Sequence, residues 1–70
     1  MPNLLPAAEI EARILAMLAE APMTQLEIEC AFPMDYYLIV PKVVRDLDAR
    51  GIVVREPHGR TKLVRLNTPQ

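Results

Sequence analysis

The chain has 70 residues, a formal net charge of −1, 51% hydrophobic residues, one cysteine (Cys30) and one histidine (His58). A chain of this length forms one domain and buries only roughly 60% of the surface that its unfolded form exposes, so its core stabilises it weakly. The single cysteine and histidine exclude an intrachain disulfide and a zinc site built from several such ligands. Self-association is therefore the expected way to bury more apolar surface.

The N-terminal region lacks the features of an export signal. Its first charged residues are Glu9, Glu11 and Arg13, so no basic start precedes a continuous apolar run. No apolar run approaches the length of a membrane span either. Together with the lone cysteine, these features predict a cytoplasmic protein that does not contact a membrane.

Charge is distributed unevenly along the chain. Residues 1–41 hold one cation and six carboxylates, a net charge of −5, whereas residues 42–70 hold seven cations and three carboxylates, a net charge of +4. Such asymmetry favours a polyanion as the partner of the C-terminal half.

The first predicted helix follows a proline-marked leader, residues 1–6. Pro6 suits the first turn of a helix because its missing N–H would be unpaired there, and Pro22 ends the helix. Glu9 and Arg13 form a favourable pair four residues apart. The apolar residues that recur with a 3.6-residue period, and so predict the buried face, are Ile10, Ile14, Met17, Leu18 and Ala21.

A second, short helix is predicted to start at Thr24. Thr24 and Glu27 have the spacing of a capping box, in which each side chain accepts an N–H of the first turn, and Pro33 ends the helix. The residues predicted to share its buried side are Leu26, Cys30 and Phe32. Cys30 is expected to be a small buried residue rather than a redox sensor, since no basic residue stands beside it.

The third helix has two predicted starts because Pro41 interrupts its pattern. Either Asp35 caps a turn that kinks at Pro41, or the regular helix begins at Pro41 itself. In both cases Gly51 ends the helix as a C-terminal cap. The residues predicted for its inner face are Val40, Val44 and Leu47, with Val43 at the edge.

The segments 52–56 and 61–66 are rich in β-branched and aliphatic residues and flank the sequence Pro-His-Gly-Arg, residues 57–60. This pattern predicts a β-hairpin. Residues 67–70 are a short polar tail, and no internal repeat or linker divides the chain. We therefore expect a single domain over residues 1–70.

The order of helix, capped short helix, third helix and basic hairpin resembles the winged helix-turn-helix domain of bacterial transcription regulators. The sequence motifs of its C-terminal half are most similar to those of MarR-like regulators. Those proteins carry a leucine, three residues and a glycine, then a G-hydrophobic-V-x-R strand, a glycine–arginine turn and a K-x-V-x-L-T strand. Here "LDARGIVVR" (47–55) and "GRTKLVRLNT" (59–68) match. The resemblance covers roughly residues 8–68. It implies an α+β fold, a three-helix winged helix-turn-helix with a C-terminal two-stranded β-hairpin wing.

The resemblance also implies a function. The protein would be a small, sequence-preferring binder of double-stranded DNA, a transcriptional regulator or repressor that acts as a homodimer by occupying its site. The residues that would contact DNA are Thr24, Gln25, Tyr36, Tyr37, Lys42, Arg45, His58, Arg60 and Lys62. Arg60 would lie at the wing tip, against a minor groove or a phosphate, with His58 and Lys62 beside it.

Most of these residues also have a plainer interpretation, which for Arg60 is a solvated arginine in an exposed turn. Thr24 and Gln25 would offer donors to a phosphate, or simply cap their helix. Lys42 and Arg45 would face DNA from the third helix, or form an ordinary solvated surface. The hydroxyls of Tyr36 and Tyr37 would reach DNA, or the rings would pack in the core or an interface.

One departure from the family favours a second interpretation. The exposed front of the third helix normally carries small polar residues, whereas this chain has Leu38, Ile39 and Pro41, which cannot form hydrogen bonds with base edges. The alternative is therefore a winged-helix module that binds a protein partner through the apolar Tyr36-to-Pro41 surface.

Catalysis is not expected. A histidine in a turn and a distant cysteine supply no nucleophile with a base in reach. The only glycines are Gly51 and Gly59, so the chain has no phosphate-binding glycine loop. We expect a protein that is not an enzyme and needs no cofactor or metal.

Overall fold

The computed structural model describes residues 4–67. Residues 1–3 of the predicted leader and 68–70 of the predicted tail lie outside this range. The elements are α1 (Ala7–Glu20), β1 (Met23–Thr24), α2 (Gln25–Cys30), a 3₁₀ turn (Met34–Tyr36), α3 (Ile39–Ala49), β2 (Val53–His58) and β3 (Thr61–Leu66). The strands form one antiparallel sheet in the order β1-β3-β2. The three-helix winged helix-turn-helix with a hairpin wing is confirmed, and β1 adds a short third strand.

The core lies between the three helices and one face of the sheet. Its buried residues are Ile10, Ile14, Leu18, Ile28, Tyr36, Val40, Val43, Val44, Leu47, Val53 and Val64. The predicted inner face of α3 is confirmed in full. The predicted face of α1 extends too far, because Met17 is only half-buried and Ala21 is exposed beyond the end of the helix.

Of the residues predicted for the buried side of α2, Phe32 is partly buried against the core, but Leu26 and Cys30 were predicted wrongly. Ile28 is fully buried, whereas Leu26 is 61% exposed and Cys30 is exposed as well. Residues 26 and 30 share one side of a helix, and residue 28 lies on the other at about 100° per residue. Strand β1 pairs with β3 directly before α2, so the sheet fixes which side of this six-residue helix faces the core.

Helix α3 begins at neither predicted start. Its first residue is Ile39, which places Pro41 in the first turn, where a missing N–H is not needed. In a continuous helix the ring of Pro41 would clash with the carbonyl of Tyr37. The chain instead makes a separate 3₁₀ turn, closed by the bond from the Tyr37 N–H to the Met34 carbonyl at 3.1 Å.

The end of α3 is joined directly to the hairpin. Gly51 has φ +76°, and the N–H groups of Ile52 and Gly51 donate to the carbonyls of Leu47 (2.9 Å) and Asp48 (3.0 Å). This pair of bonds is a Schellman motif, so the predicted cap at Gly51 is confirmed. Asn67, just after β3, donates its backbone N–H to the Ile52 carbonyl at 3.0 Å and its side-chain amide to the Gly51 carbonyl at 2.9 Å.

The hairpin turn is tighter than predicted. Strand β2 continues through Pro57 to His58, which pairs with Thr61, so only Gly59 and Arg60 form the loop. Gly59 has φ +61° and Arg60 has a negative φ, the pattern of a type II′ turn. Pro57 is accommodated because β2 is an edge strand of the sheet.

Leu47→Ala is expected to lower the free energy of unfolding by roughly 2–5 kcal/mol, because it leaves a cavity where α3 meets the core. Leu26→Ala is the matched control: the same atoms are removed from an exposed site, and stability should change by less than about 0.5 kcal/mol. Urea unfolding followed by circular dichroism measures both. Equal midpoints for the two variants would contradict this packing of α3.

Candidate nucleic-acid interface

Half of the cations form ion pairs with carboxylates of the same chain. The ion pairs are Arg13–Glu9 at 3.5 Å, Arg50 with Glu11 and Asp46 at 2.8 Å each, Arg55–Asp48 at 3.0 Å and Arg65–Glu56 at 2.8 Å. All three carboxylates of the C-terminal half are therefore bound to arginines. The Glu11 carboxylate, with a smaller contribution from Asp46, raises the pKa of Arg50 above its ordinary value.

The remaining four cations are Lys42, Arg45, Arg60 and Lys62, which we call the unpaired cations. Each is exposed, and no carboxylate within residues 4–67 forms an ion pair with them. The +4 charge of the C-terminal half is thus available on its surface. All four were among the predicted DNA-contacting residues.

Two of the unpaired cations lie on the outer side of α3. Leu38, Lys42, Arg45 and Ala49 are exposed and follow one another at intervals of four, three and four residues. At about 100° per residue this stripe is opposite the buried side that contains Val44. We call these four positions the outer stripe; it begins with a leucine and continues with two basic residues.

The register of the wing decides where its basic side chains point. Lys62 pairs with Pro57 and Val64 with Arg55, and residues two apart on a strand share a face. Lys62 therefore emerges on the same face as the buried Val64, the face against which the helices pack. His58 pairs with Thr61 on the opposite face. The structure thus separates His58 from Lys62, although sequence reasoning placed them together.

An ion pair ties the wing to α3. The Arg55 Nε on β2 lies 3.0 Å from the Asp48 Oδ2 on the last turn of α3, and the arginine side chain is mostly buried. The sequence did not predict this contact. Asp48 and Arg55 are seven residues apart in the chain, and only the strand register of the folded hairpin brings them together. The pair, together with the Schellman motif, holds the wing cations at a fixed place relative to Lys42 and Arg45.

Thr24 and Gln25 are engaged within α2. The Thr24 Oγ1 accepts the Glu27 N–H at 3.1 Å and Glu27 Oε1 accepts the Thr24 N–H at 2.9 Å, which confirms the capping box. The Gln25 amide donates to Glu29 at 3.1 Å. The N–H of Thr24, and then its side chain, lowers the pKa of Glu27. The carboxylates of Glu27 and Glu29 therefore occupy the donors that were predicted to contact a phosphate.

The two tyrosines have different environments. Tyr36 is 8% exposed; its hydroxyl accepts the Leu5 N–H at 3.0 Å, and its ring centre lies 5.8 Å from that of Phe32. Tyr36 is thus removed from the residues that could face DNA. Tyr37 is exposed and remains available.

An apolar patch shares Leu38 with the outer stripe. It consists of Leu26, Met34, Tyr37 and Leu38, the most exposed large apolar side chains of residues 4–67, and the first three line one shallow groove. Within the apolar surface predicted over residues 36–41, Tyr36 and Val40 are buried. Leu26 and Met34 were missed, because their exposure depends on the orientation of α2 and on the 3₁₀ turn.

The described part of the chain contains no cluster of His, Cys, Asp and Glu that could hold a metal ion. Across residues 4–67, no helix combines the length and the apolar character that crossing a membrane requires.

Comparison with protein-family models gives no match, and neither does comparison with curated proteins. The chain is similar to a solved structure described as "Crystal structure of Possible transcriptional regulator for arsenical resistance". The TM-score is 0.69, with 24% sequence identity, over 90% of this chain and 70% of that chain. The structural superposition shows a shared winged-helix fold, and at this identity it shows the fold alone. It does not single out the MarR-like regulators among proteins of that fold.

The capping box predicts an acid-dependent stability. The pKa of Glu27 is lower in the folded chain, so its contribution is fully present above the pKa of an unfolded-chain glutamate, about 4.3, and is lost as the pH falls through the folded pKa. We expect the stability difference between the native protein and Glu27→Gln to shrink as the pH is lowered from about 6 to about 3. Thermal unfolding at each pH measures it; a constant difference would contradict the assignment.

Proposed function

We propose that the protein is a transcriptional regulator that binds double-stranded DNA, with α3 in the major groove and the wing against the adjacent minor groove. The observation that supports this proposal most is the distribution of the unpaired cations. They lie on the outer stripe and the wing alone, while the other cations of residues 4–67 are held in ion pairs. The similarity to a structure described as a possible transcriptional regulator is in keeping with it.

The physical basis of binding is counterion release. A lysine or arginine already held by a carboxylate gains little from a phosphate, whereas an exposed unpaired cation releases the phosphate's condensed counterion. Lys42 and Arg45 would contact phosphates or a guanine edge from α3. The "LDARGIVVR" and "GRTKLVRLNT" motifs favour a MarR-like regulator within this fold.

Arg60 is the wing residue that we assign to the minor groove. It occupies the second position of a two-residue turn, is exposed and has no carboxylate partner within residues 4–67. A narrow minor groove concentrates negative potential, so a guanidinium on a tight turn enters it without breaking a base pair. Lys62, on the α3-facing side of the hairpin, would reach the phosphates between the two grooves.

We further propose that the regulator acts as a homodimer in the cytoplasm and represses by occupying its site. Two copies would place two α3 helices in successive major grooves of a palindromic site. The eleven buried residues within 4–67 form a small core that gives a single copy little stability, and Leu15 and Met17 on α1 stay partly exposed. Association through α1 or the terminal segments would cover them.

A second candidate function is supported by the apolar patch. Exposed apolar side chains that line one groove are typical of a surface that binds another protein. In that case the patch, rather than the unpaired cations, would carry the interaction. Salt distinguishes the two functions, because binding to DNA weakens steeply with ionic strength and an apolar contact does not.

Arg60→Ala is expected to weaken binding to most duplexes alike and to lower the slope of log affinity against log salt by about 0.9, the contribution of one phosphate. Fluorescence anisotropy with random-sequence duplexes at several salt concentrations measures it. His58→Ala is the control on the opposite face of the wing and should leave the slope nearly unchanged. The double variant Arg60→Ala/Lys62→Ala should lose about twice as much slope.

An unchanged affinity of that double variant for DNA, with native circular dichroism, would contradict the assignment of the wing to DNA. The wing would then face something other than DNA.

The homodimer is tested separately by light scattering at about 100 µM, well above ordinary dimer affinities. We expect twice the chain mass of 7.9 kDa. The mass of a single chain at this concentration would contradict the proposed homodimer and, with it, binding to a palindromic site.

A further inference from the structure

The N-terminal end of the outer stripe carries an exposed large apolar side chain, Leu38. Leu38 is 63% exposed, yet it directly precedes α3 as its N-cap residue, one turn before Lys42. In a helix-turn-helix protein the N-terminal residues of the recognition helix meet the base edges. The stripe would therefore present a leucine to the bases and two cations behind it.

A leucine side chain cannot donate or accept a hydrogen bond, which limits the base pairs that it can distinguish. Among the groups that base pairs expose in the major groove, only the C5-methyl of thymine is apolar. An aliphatic side chain placed against that methyl removes apolar surface of both partners from water. Placed against any other base edge, it would bury a polar group without a partner, at a cost.

The backbone around Leu38 is well constrained. The 3₁₀ turn Met34–Tyr36 precedes it, and Pro41, whose ring fixes its own φ, lies in the first turn of α3. Val40 and Val44 anchor the opposite side of the same helix in the core. Little backbone freedom is therefore lost when Leu38 meets a ligand, which favours a specific contact.

From these observations we infer that Leu38 is a specificity-determining residue that recognises thymine methyl groups in the major groove. Lys42 and Arg45, which follow on the outer stripe, hold the helix in register through phosphates or a guanine edge. This inference rests on the proposed DNA binding and adds to it a preference for thymine at one or two positions of each half-site.

The experiment replaces thymine by deoxyuridine, which removes the methyl group and leaves the hydrogen-bonding edge unchanged. Duplexes enriched by the protein from a random library are resynthesised with each thymine exchanged in turn, and affinities are measured by fluorescence anisotropy. At one or two positions the exchange should weaken binding about fourfold, as expected for the loss of one buried methyl.

Variants assign the effect to the side chain. Leu38→Ala should bind the thymine and deoxyuridine duplexes equally at those positions, and Leu38→Met, which keeps an apolar contact, should retain most of the discrimination. Leu26→Ala is the matched control, since Leu26 is 61% exposed but lies on α2, outside the outer stripe; it should discriminate like the native protein. Circular dichroism confirms the fold of each variant.

The outcomes separate this inference from the proposed function. Salt-dependent DNA binding with no thymine-to-deoxyuridine difference, or with no enriched sequence, would overturn the role of Leu38 and leave DNA binding in place. Discrimination that persists in Leu38→Ala would assign it to another residue and overturn the inference too. Absence of any salt-dependent binding would contradict the proposed function itself.

Discussion

The geometry of the C-terminal half depends on the backbone hydrogen bonds that end α3 at Gly51. The Ile52 N–H donates to the Leu47 carbonyl, so the chain passes from α3 to β2 within the three residues 50–52. A Cβ on Gly51 would meet no atom within 4 Å, and its φ is +76°; glycine is thus required by the backbone conformation and not by lack of space. Asn67 closes the same junction from the end of β3. The position of the wing relative to α3 follows from these few bonds.

The net charge of the chain does not show how its charged side chains are distributed around this junction. A chain with a net charge of −1 has no obvious affinity for a polyanion. The acidic residues of the C-terminal half, however, all form local ion pairs: Asp46 with Arg50, Asp48 with Arg55 and Glu56 with Arg65. The same pairs that brace α3 and the wing therefore leave the unpaired cations as the local source of positive potential.

The parts of the fold that sequence predicts well are those governed by local rules. Periodicity identified the buried sides of α1 and α3, and local chemistry identified the caps at Thr24 and Gly51. The orientation of α2, the strand β1 and the start of α3 depend on pairing between distant segments, which one sequence does not display. The same division holds for the site: Lys42 and Arg45 follow from helical spacing, whereas the separation of His58 from Lys62 and the burial of Tyr36 required the sheet register and the tertiary packing.

The central claim is that DNA meets one continuous surface formed by the outer stripe and the wing. A titration of the isotopically labelled protein with a duplex, followed by amide chemical-shift mapping, tests it most directly. We expect the largest shifts at residues 38–45 and 59–62, with few on α1. Shifts confined to Leu26, Met34 and Tyr37, or no shifts at low salt, would contradict the account.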